Sequence, residues 1–191
     1  MEPKMKQGDA LLIVDVQRDF CSGGALPVPG GDDVVPVLNR WIKAALDAGV
    51  IIYASRDWHP QAHLSFRERG GPWPPHCIQD TVGAQFHPNL RLPPSAIVVS
   101  KGVRFDKDQN SAFDDTGLAV ELRRRGVRRI WVGGLAQDVC VRATALDAVR
   151  AEFEVHLVAG ATKPVRPEDG ERALAEMRRA GVIITESRII E

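Results

Sequence analysis

Six short apolar runs recur along the chain of 191 residues, at Ala10–Val14, Val50–Ala54, Ala96–Ser100, Arg129–Val132, Val155–Val158 and Val182–Thr185. Each is rich in Val and Ile and continuous rather than alternating. That pattern belongs to strands buried on both faces, as in a parallel sheet. Parallel neighbours need crossover connections, and amphipathic stretches lie between the runs to supply them. From Asp33 to Ala48, apolar residues fall at Val34, Val37, Leu38, Trp41, Ile42 and Ala45, the spacing of a helix with one core face. Asp33 can cap it, Pro36 sits in its tolerant first turn, and Gly49 can end it. Further helices are expected over Asp115–Arg125, stopped by Gly126, over Asp138–Ala151, and over Pro167–Ala180, with Gly181 just past its end. The expected fold is therefore α/β: an open, mostly parallel six-stranded sheet with helices on both faces, three layers in all. One domain is expected to span residues 1–191.

Composition narrows the function classes. Hydrophobic residues make up 44% and charged residues 26% of the chain, an ordinary globular balance. Lys and Arg number 25 and Asp and Glu 25, so no global basic field exists to draw in nucleic acid. The local cluster Arg123–Arg125 with Arg128 and Arg129 reads as a solvated helix end. No run of about 18 apolar residues is present, so no membrane partner is expected. The polar start, Met1 to Asp9, carries no secretory pattern, and a cytoplasmic location is expected. Cys21, Cys77 and Cys140 are too few, and odd in number, for a disulfide framework, which leaves room for a working thiol.

In open α/β sheets ligands bind at the carboxyl ends of the strands. Asp15 follows the first run, Arg56, Asp57 and His59 the second, and Lys101 the third. Cys140 follows the fourth, past Gly133-Gly134-Leu135-Ala136, where a helix should begin. An acid, a cation, a metal-type pair and a thiol thus converge on one rim. A helix N-terminus and a nearby lysine would both lower the thiol pKa, which favours Cys140 as nucleophile, with Asp15 as general base and Lys101 holding the charges in balance. Cys21 and Cys77 lack such partners and read as ordinary loop thiols. Asp57 and His59, two residues apart in extended chain, can face one side, and His76 can complete a facial set for Zn²⁺, Fe²⁺ or Mn²⁺. His63 reads as a loop residue or a support behind these ligands. The Pro-, Gly-, His- and Trp-rich stretch from Ser55 to Ser95 is too long for a plain connection and is expected to be functional. Neither GxGxxG nor GxSxG spacing is present, so dinucleotide binding and a serine elbow are unsupported.

Taken together, several segments resemble the nicotinamidase/pyrazinamidase branch of the isochorismatase-like cysteine hydrolases. They are Asp15-Val16-Gln17-x-Asp19-Phe20-Cys21-x-Gly23-Gly24-x-Leu26, Asp57-Trp58-His59-Pro60, Pro72-Trp73-Pro74-Pro75-His76-Cys77, Lys101-Gly102, and Gly134-Leu135-Ala136-x-Asp138-x-Cys140-Val141. The resemblance covers nearly the whole chain, in order. It implies a catalytic triad of Asp15, Lys101 and Cys140, and metal ligands Asp57, His59 and His76. It implies substrate contacts at Phe20, Leu26, Trp73 and Leu135, and a cis Leu135–Ala136 peptide that aims the amides of Ala136 and Cys140 at the substrate oxygen. The implied reaction is hydrolysis of nicotinamide to nicotinate and ammonia, and of pyrazinamide to pyrazinoate, through a thioester. It would use one divalent ion, zinc first with iron or manganese as alternatives, and no organic cofactor. The implied partner is the small-molecule substrate, with homo-oligomerisation left open. The alternative is a related cysteine hydrolase acting on another small amide or on isochorismate, or a non-catalytic ligand- or metal-binding member. Arg18, Asn110 and Val139 depart from the family's pattern, which commonly has Asn, Tyr, and Tyr or His at those places.

Overall fold

The computed structural model describes residues 4–186. Six strands, β1 (Asp9–Val14), β2 (Ile51–Asp57), β3 (Ile97–Lys101), β4 (Arg129–Leu135), β5 (Glu154–Lys163) and β6 (Ile183–Thr185), form one parallel sheet in the order β3-β2-β1-β4-β5-β6. Helices α1 (Val34–Asp47), α2 (Leu118–Arg124), α3 (Arg142–Arg150) and α4 (Pro167–Ala180) supply four of the five crossovers. No helix among the described residues is long and apolar enough to cross a membrane.

Both sheet faces are buried, as the continuous apolar runs require. On one face Leu11 and Ile13 of β1 meet Val34, Leu38, Trp41, Ile42 and Ala45 of α1. On the other, Ala10, Leu12 and Val14 meet Leu118 and Leu122 of α2, Ala145 and Leu146 of α3, and Ala173 and Met177 of α4. Fully burying one such aliphatic side chain is worth about 1.5–3 kcal/mol, so the two layers together hold the sheet rigid under the rim. The closest approach is at Gly134 (φ +129°), where any Cβ would run into the backbone of Val14 on the neighbouring strand.

Several expected boundaries shift, each for a local reason. β2 runs on through Ser55, Arg56 and Asp57, because these polar residues keep their ladder with β3 and register Asp57 opposite Lys101. α2 starts at Leu118 rather than Asp115, since Asp115 (φ +53°) and Gly117 (φ +77°) are left-handed and cannot continue a helix backwards. The helix expected from Asp138 begins instead as a wide π turn over Gln137–Val141, and α-helical geometry is reached only at Arg142. Asp33 makes no side-chain cap on α1; its carboxylate lies 3.6 Å from Lys163. α4 has the expected bounds.

The strand order reverses at β1, whose neighbours β2 and β4 leave it on opposite sides. A crevice opens at such a switch point, at the carboxyl ends of the strands. Asp15, Asp57, Lys101 and the turn carrying Cys140 all stand there. The long segment between β2 and β3 folds back over this crevice. It contains only short 3-10 turns at Arg67–Arg69 and Val82–Ala84, yet it buries His59, His63, Phe66, His76 and Cys77.

Candidate active site

Lys101 is the hub. Its Nζ lies 2.7 Å from Asp15 Oδ2, 2.6 Å from Asp57 Oδ1 and 3.5 Å from Cys140 Sγ, with the carbonyl of Gln109 at 3.4 Å. Lys101 and Asp15 are fully buried, and a buried charge persists only when paired. Burial disfavours the ammonium, but the two carboxylates outweigh it and hold Lys101 well above its ordinary value. Burial lifts Asp57 as well, yet Lys101 and the ring of His59 prevail and hold it below the usual carboxylate range. Asp15 differs: burial dominates and raises its carboxyl against the pull of Lys101. Ser55 Oγ donates to Asp15 Oδ1 at 2.7 Å, while Oδ2 meets Lys101 off the hydrogen-bond axis and has no hydrogen-bond donor among the described residues. Donor atoms of Asp15, Asp57 and Cys140 lie within 4.8 Å of one another, so the Asp15 carboxyl is placed to exchange a proton with the thiol.

The expected lowering of the Cys140 thiol is not found. Burial pushes it well above its ordinary value, Lys101 pulls it back, and Asp15 and Asp57 add to the rise. The physical reason is first the complete burial of the sulfur, with two carboxylates working against the one ammonium. The sulfur does not sit on the N-terminus of a regular helix, and two negative groups offset one ammonium. Burial thus favours the neutral thiol, and the Asp15 carboxyl beside it is the group placed to exchange its proton.

Asp57, His59 and His76 are all buried, with donor atoms within 4.8 Å of one another. His59 Nδ1 donates to the Gly102 carbonyl at 2.8 Å, and His76 Nδ1 donates to the Pro74 carbonyl at 2.8 Å. Nδ1 therefore carries hydrogen in both rings, which leaves Nε2 as the atom able to ligate a metal, and both Nε2 atoms face Asp57 Oδ2, at 3.5 and 4.0 Å. Two imidazole nitrogens and a carboxylate oxygen, each backed by a second hydrogen bond, are what a divalent ion such as Zn²⁺ requires of a three-residue site. The residues present fit the ion. His63 stands behind them: its ring stacks on His59 at 4.0 Å, its Nδ1 meets Ser65 Oγ at 2.7 Å, and burial pushes it down to about 4.

Above this floor lies a narrow pocket whose walls include Phe20, Leu26, Trp73, Ala136 and Cys140, with Asp57, His59 and His76 at its base. Leu135 is not among them. Its side chain is buried in the core against α1, and only its cis peptide with Ala136 reaches the site. Cys21 and Cys77 are buried and neither lines the pocket, and the Cys21 thiol is pushed up to about 12 by its burial and by Asp32. Among the residues whose part is not evident from the sequence, Gln17 clamps Asp57, donating to its carbonyl and accepting from its N–H, both at 2.8 Å. Asp19 accepts from the N–H of Cys77 at 2.7 Å and so ties down the residue after His76. Val28, Ser65, Asp108, Asn110 and Val165 also line the pocket. Their positions come from loops whose paths no periodicity reveals.

A parallel α/β fold with a buried thiol, a lysine bridging two carboxylates and a three-donor metal set at its switch point defines a class of cysteine-based α/β proteins. Residues 9–188 match the isochorismatase domain, and the chain belongs to that family. It is 38% identical over 198 residues to a nicotinamidase of Escherichia coli (strain K12), covering 92% of this chain and 93% of that one. A pyrazinamidase of Pyrococcus horikoshii, crystallised in complex with zinc, superposes with a TM-score of 0.91 at 51% identity, covering 94% of this chain and 99% of that one. PnC1 from L. infantum, in complex with nicotinate, gives a TM-score of 0.91 at 38% identity over 98% and 97% of the two chains.

Proposed function

We propose that this chain is an amidohydrolase that converts nicotinamide to nicotinate and ammonia, and pyrazinamide to pyrazinoate, with Asp15, Lys101 and Cys140 as its catalytic residues. The observation that carries the reading is one pocket in which the Cys140 sulfur shares walls with two aromatic rings and a base of Asp57, His59 and His76. That combination suits a flat ring bearing a carboxamide on one side and a ring nitrogen on the other. The relatives are named for this reaction, and one neighbour is crystallised with its product.

Asp15 Oδ2 takes the proton of Cys140 Sγ, and Lys101 stabilises the charge that moves between them. The thiolate attacks the carboxamide carbon. The backbone N–H groups of Ala136 and Cys140 receive the oxyanion, and losing one such donor typically costs about 10²–10³ in rate. Collapse of the tetrahedral species breaks the C–N bond, and the proton held by Asp15 passes to the departing nitrogen, which leaves as ammonia. Water, deprotonated by Asp15, then adds to the thioester; the C–S bond breaks, nicotinate leaves and the proton returns to sulfur. Phe20 and Trp73 hold the ring between them. Asp57, His59 and His76 would hold one zinc ion, which when bound supplies a Lewis acid for the ring nitrogen. Positioning of the carboxamide over Sγ in this way can be worth several kcal/mol of the barrier. The nicotinate formed would feed pyridine nucleotide salvage in the cytoplasm.

Ammonia release by the purified protein from nicotinamide, pyrazinamide and a carbamoyl amide tests the reading. Release from nicotinamide, abolished in a folded Cys140→Ala variant, is the expected result. Release from the carbamoyl amide alone, or undiminished release by Cys140→Ala, would refute it.

A further inference from the structure

Asn110 stands at the mouth of the pocket, where the resembled pattern commonly carries Tyr. Its Oδ1 lies 4.0 Å from Cys140 Sγ. Among the described residues its carboxamide has no hydrogen-bond partner other than that sulfur, and the side chain is exposed toward the cavity it lines.

The backbone beneath it is held on both sides. Gln109 is buried; its Oε1 accepts from the Gly102 N–H at 3.0 Å, its Nε2 donates to the Asp114 carbonyl at 2.6 Å, and its own carbonyl faces Lys101 Nζ at 3.4 Å. On the other side the N–H of Ala112 donates to Thr144 Oγ1 at 3.0 Å, and the N–H of Phe113 to Ser111 Oγ at 3.1 Å. A free carboxamide is thus presented to the reactive sulfur by a fixed segment. A sulfur-to-oxygen gap of 4.0 Å is too long for a strong hydrogen bond. It does leave room for a substrate nitrogen about 2.9 Å from Oδ1 whose carbon lies about 3–3.5 Å from Sγ, the separation of a near-attack pose.

We infer that Asn110 reads the leaving group: its Oδ1 accepts one N–H of the substrate carboxamide, which fixes how the amide lies and turns the nitrogen lone pair toward the acid that protonates it. This inference rests on the amidase reading above. The three faces of the substrate carboxamide are then used separately. The oxygen goes to the amides of Ala136 and Cys140, one N–H goes to Asn110, and the nitrogen lone pair is left for the proton carried by Asp15. No step of the reaction changes; the bond fixes which way round the carboxamide lies.

The experiment compares nicotinamide with pyridine-3-carbaldehyde, which has the same ring and adds the same thiol but carries hydrogen in place of the amino group. Wild type, Asn110→Ala and Asn110→Leu are assayed for kcat/KM on nicotinamide and for the inhibition constant of the aldehyde. Leaving one substrate N–H without its acceptor should lower kcat/KM by about tenfold or more in both variants. Aldehyde inhibition should stay within about twofold of wild type, since no N–H is present to lose. An equal loss on both ligands, or no loss on nicotinamide, would overturn the role of Asn110. A wild-type protein that releases no ammonia from nicotinamide would instead overturn the amidase reading itself.

Discussion

Gly102 offers a way to disturb the metal set without touching a ligand. It follows Lys101 at the end of β3 with φ +66°, and its carbonyl holds His59 Nδ1. A Cβ placed there would sit 2.5 Å from His59 Nδ1 and nearer still to its Cε1. The ring cannot retreat, because His63 stacks on it at 4.0 Å and Phe66 meets it edge-on at 5.6 Å. Relieving the clash in Gly102→Ala requires a shift of about 1 Å, several times the roughly 0.2 Å tolerance of a metal–ligand distance. Loss of the supporting hydrogen bond and of ligand placement should weaken zinc binding by about 10–100-fold, or roughly 1.4–2.8 kcal/mol. The left-handed backbone adds about 1–2 kcal/mol of destabilisation. Gly117→Ala is the control: its φ is +77°, and nothing lies within 4 Å of the Cβ it would gain. Zinc affinity is measured by competition with a chromophoric chelator and stability by urea unfolding. Both variants should lose stability through backbone strain, Gly102→Ala the more because of its clash, and only Gly102→Ala should lose zinc affinity. A folded Gly102→Ala that binds zinc as wild type does would refute the placement of His59 in the ligand set.

Two further outcomes follow from the buried charges. Lys101→Met leaves Asp15 and Asp57 facing each other out of water, which should cost about 3–5 kcal/mol in urea unfolding; Asp15→Asn in the same background should recover part of that loss, and a single-variant loss under about 1 kcal/mol would show that the lysine is not their essential partner. The pH dependence has a definite sign at His63, whose pKa falls from 6.5 to about 4 on folding. As pH drops through that window the unfolded chain binds a proton that the folded one refuses, so stability should decline from pH 6.5 and level off below 4. His63→Gln should flatten that decline by one proton's worth in metal-free protein, and an unchanged slope would contradict the burial of its ring.

The sheet and its chemistry were legible to very different depths. Val- and Ile-rich runs separated by amphipathic stretches admit little but a parallel α/β sheet, because only two-sided burial accounts for strands without polar alternation. That architecture in turn places strand-end residues on one rim, which is why Asp15, Asp57, Lys101 and Cys140 could be picked out from order alone. Local patterns failed where partners distant in sequence decide. The length of β2 depends on pairing with β3 across more than forty residues, and the π turn before Arg142 is tied to a distant loop, where the N–H of Val165 donates to Asp138 Oδ1 at 2.9 Å. Leu135 has the right position in the motif, yet its side chain turns into the core, since alternate residues of a strand face opposite layers. The direction in which the thiol is shifted was likewise out of reach. It depends first on the burial of the sulfur, and then on how many carboxylates share Lys101 at 2.6 to 2.7 Å. The sequence by itself determined the residue types, their order and the rim on which they stand. Distances, tautomers and the exposed carboxamide of Asn110 were decided only in three dimensions, because each is set by contacts between segments that no periodicity connects.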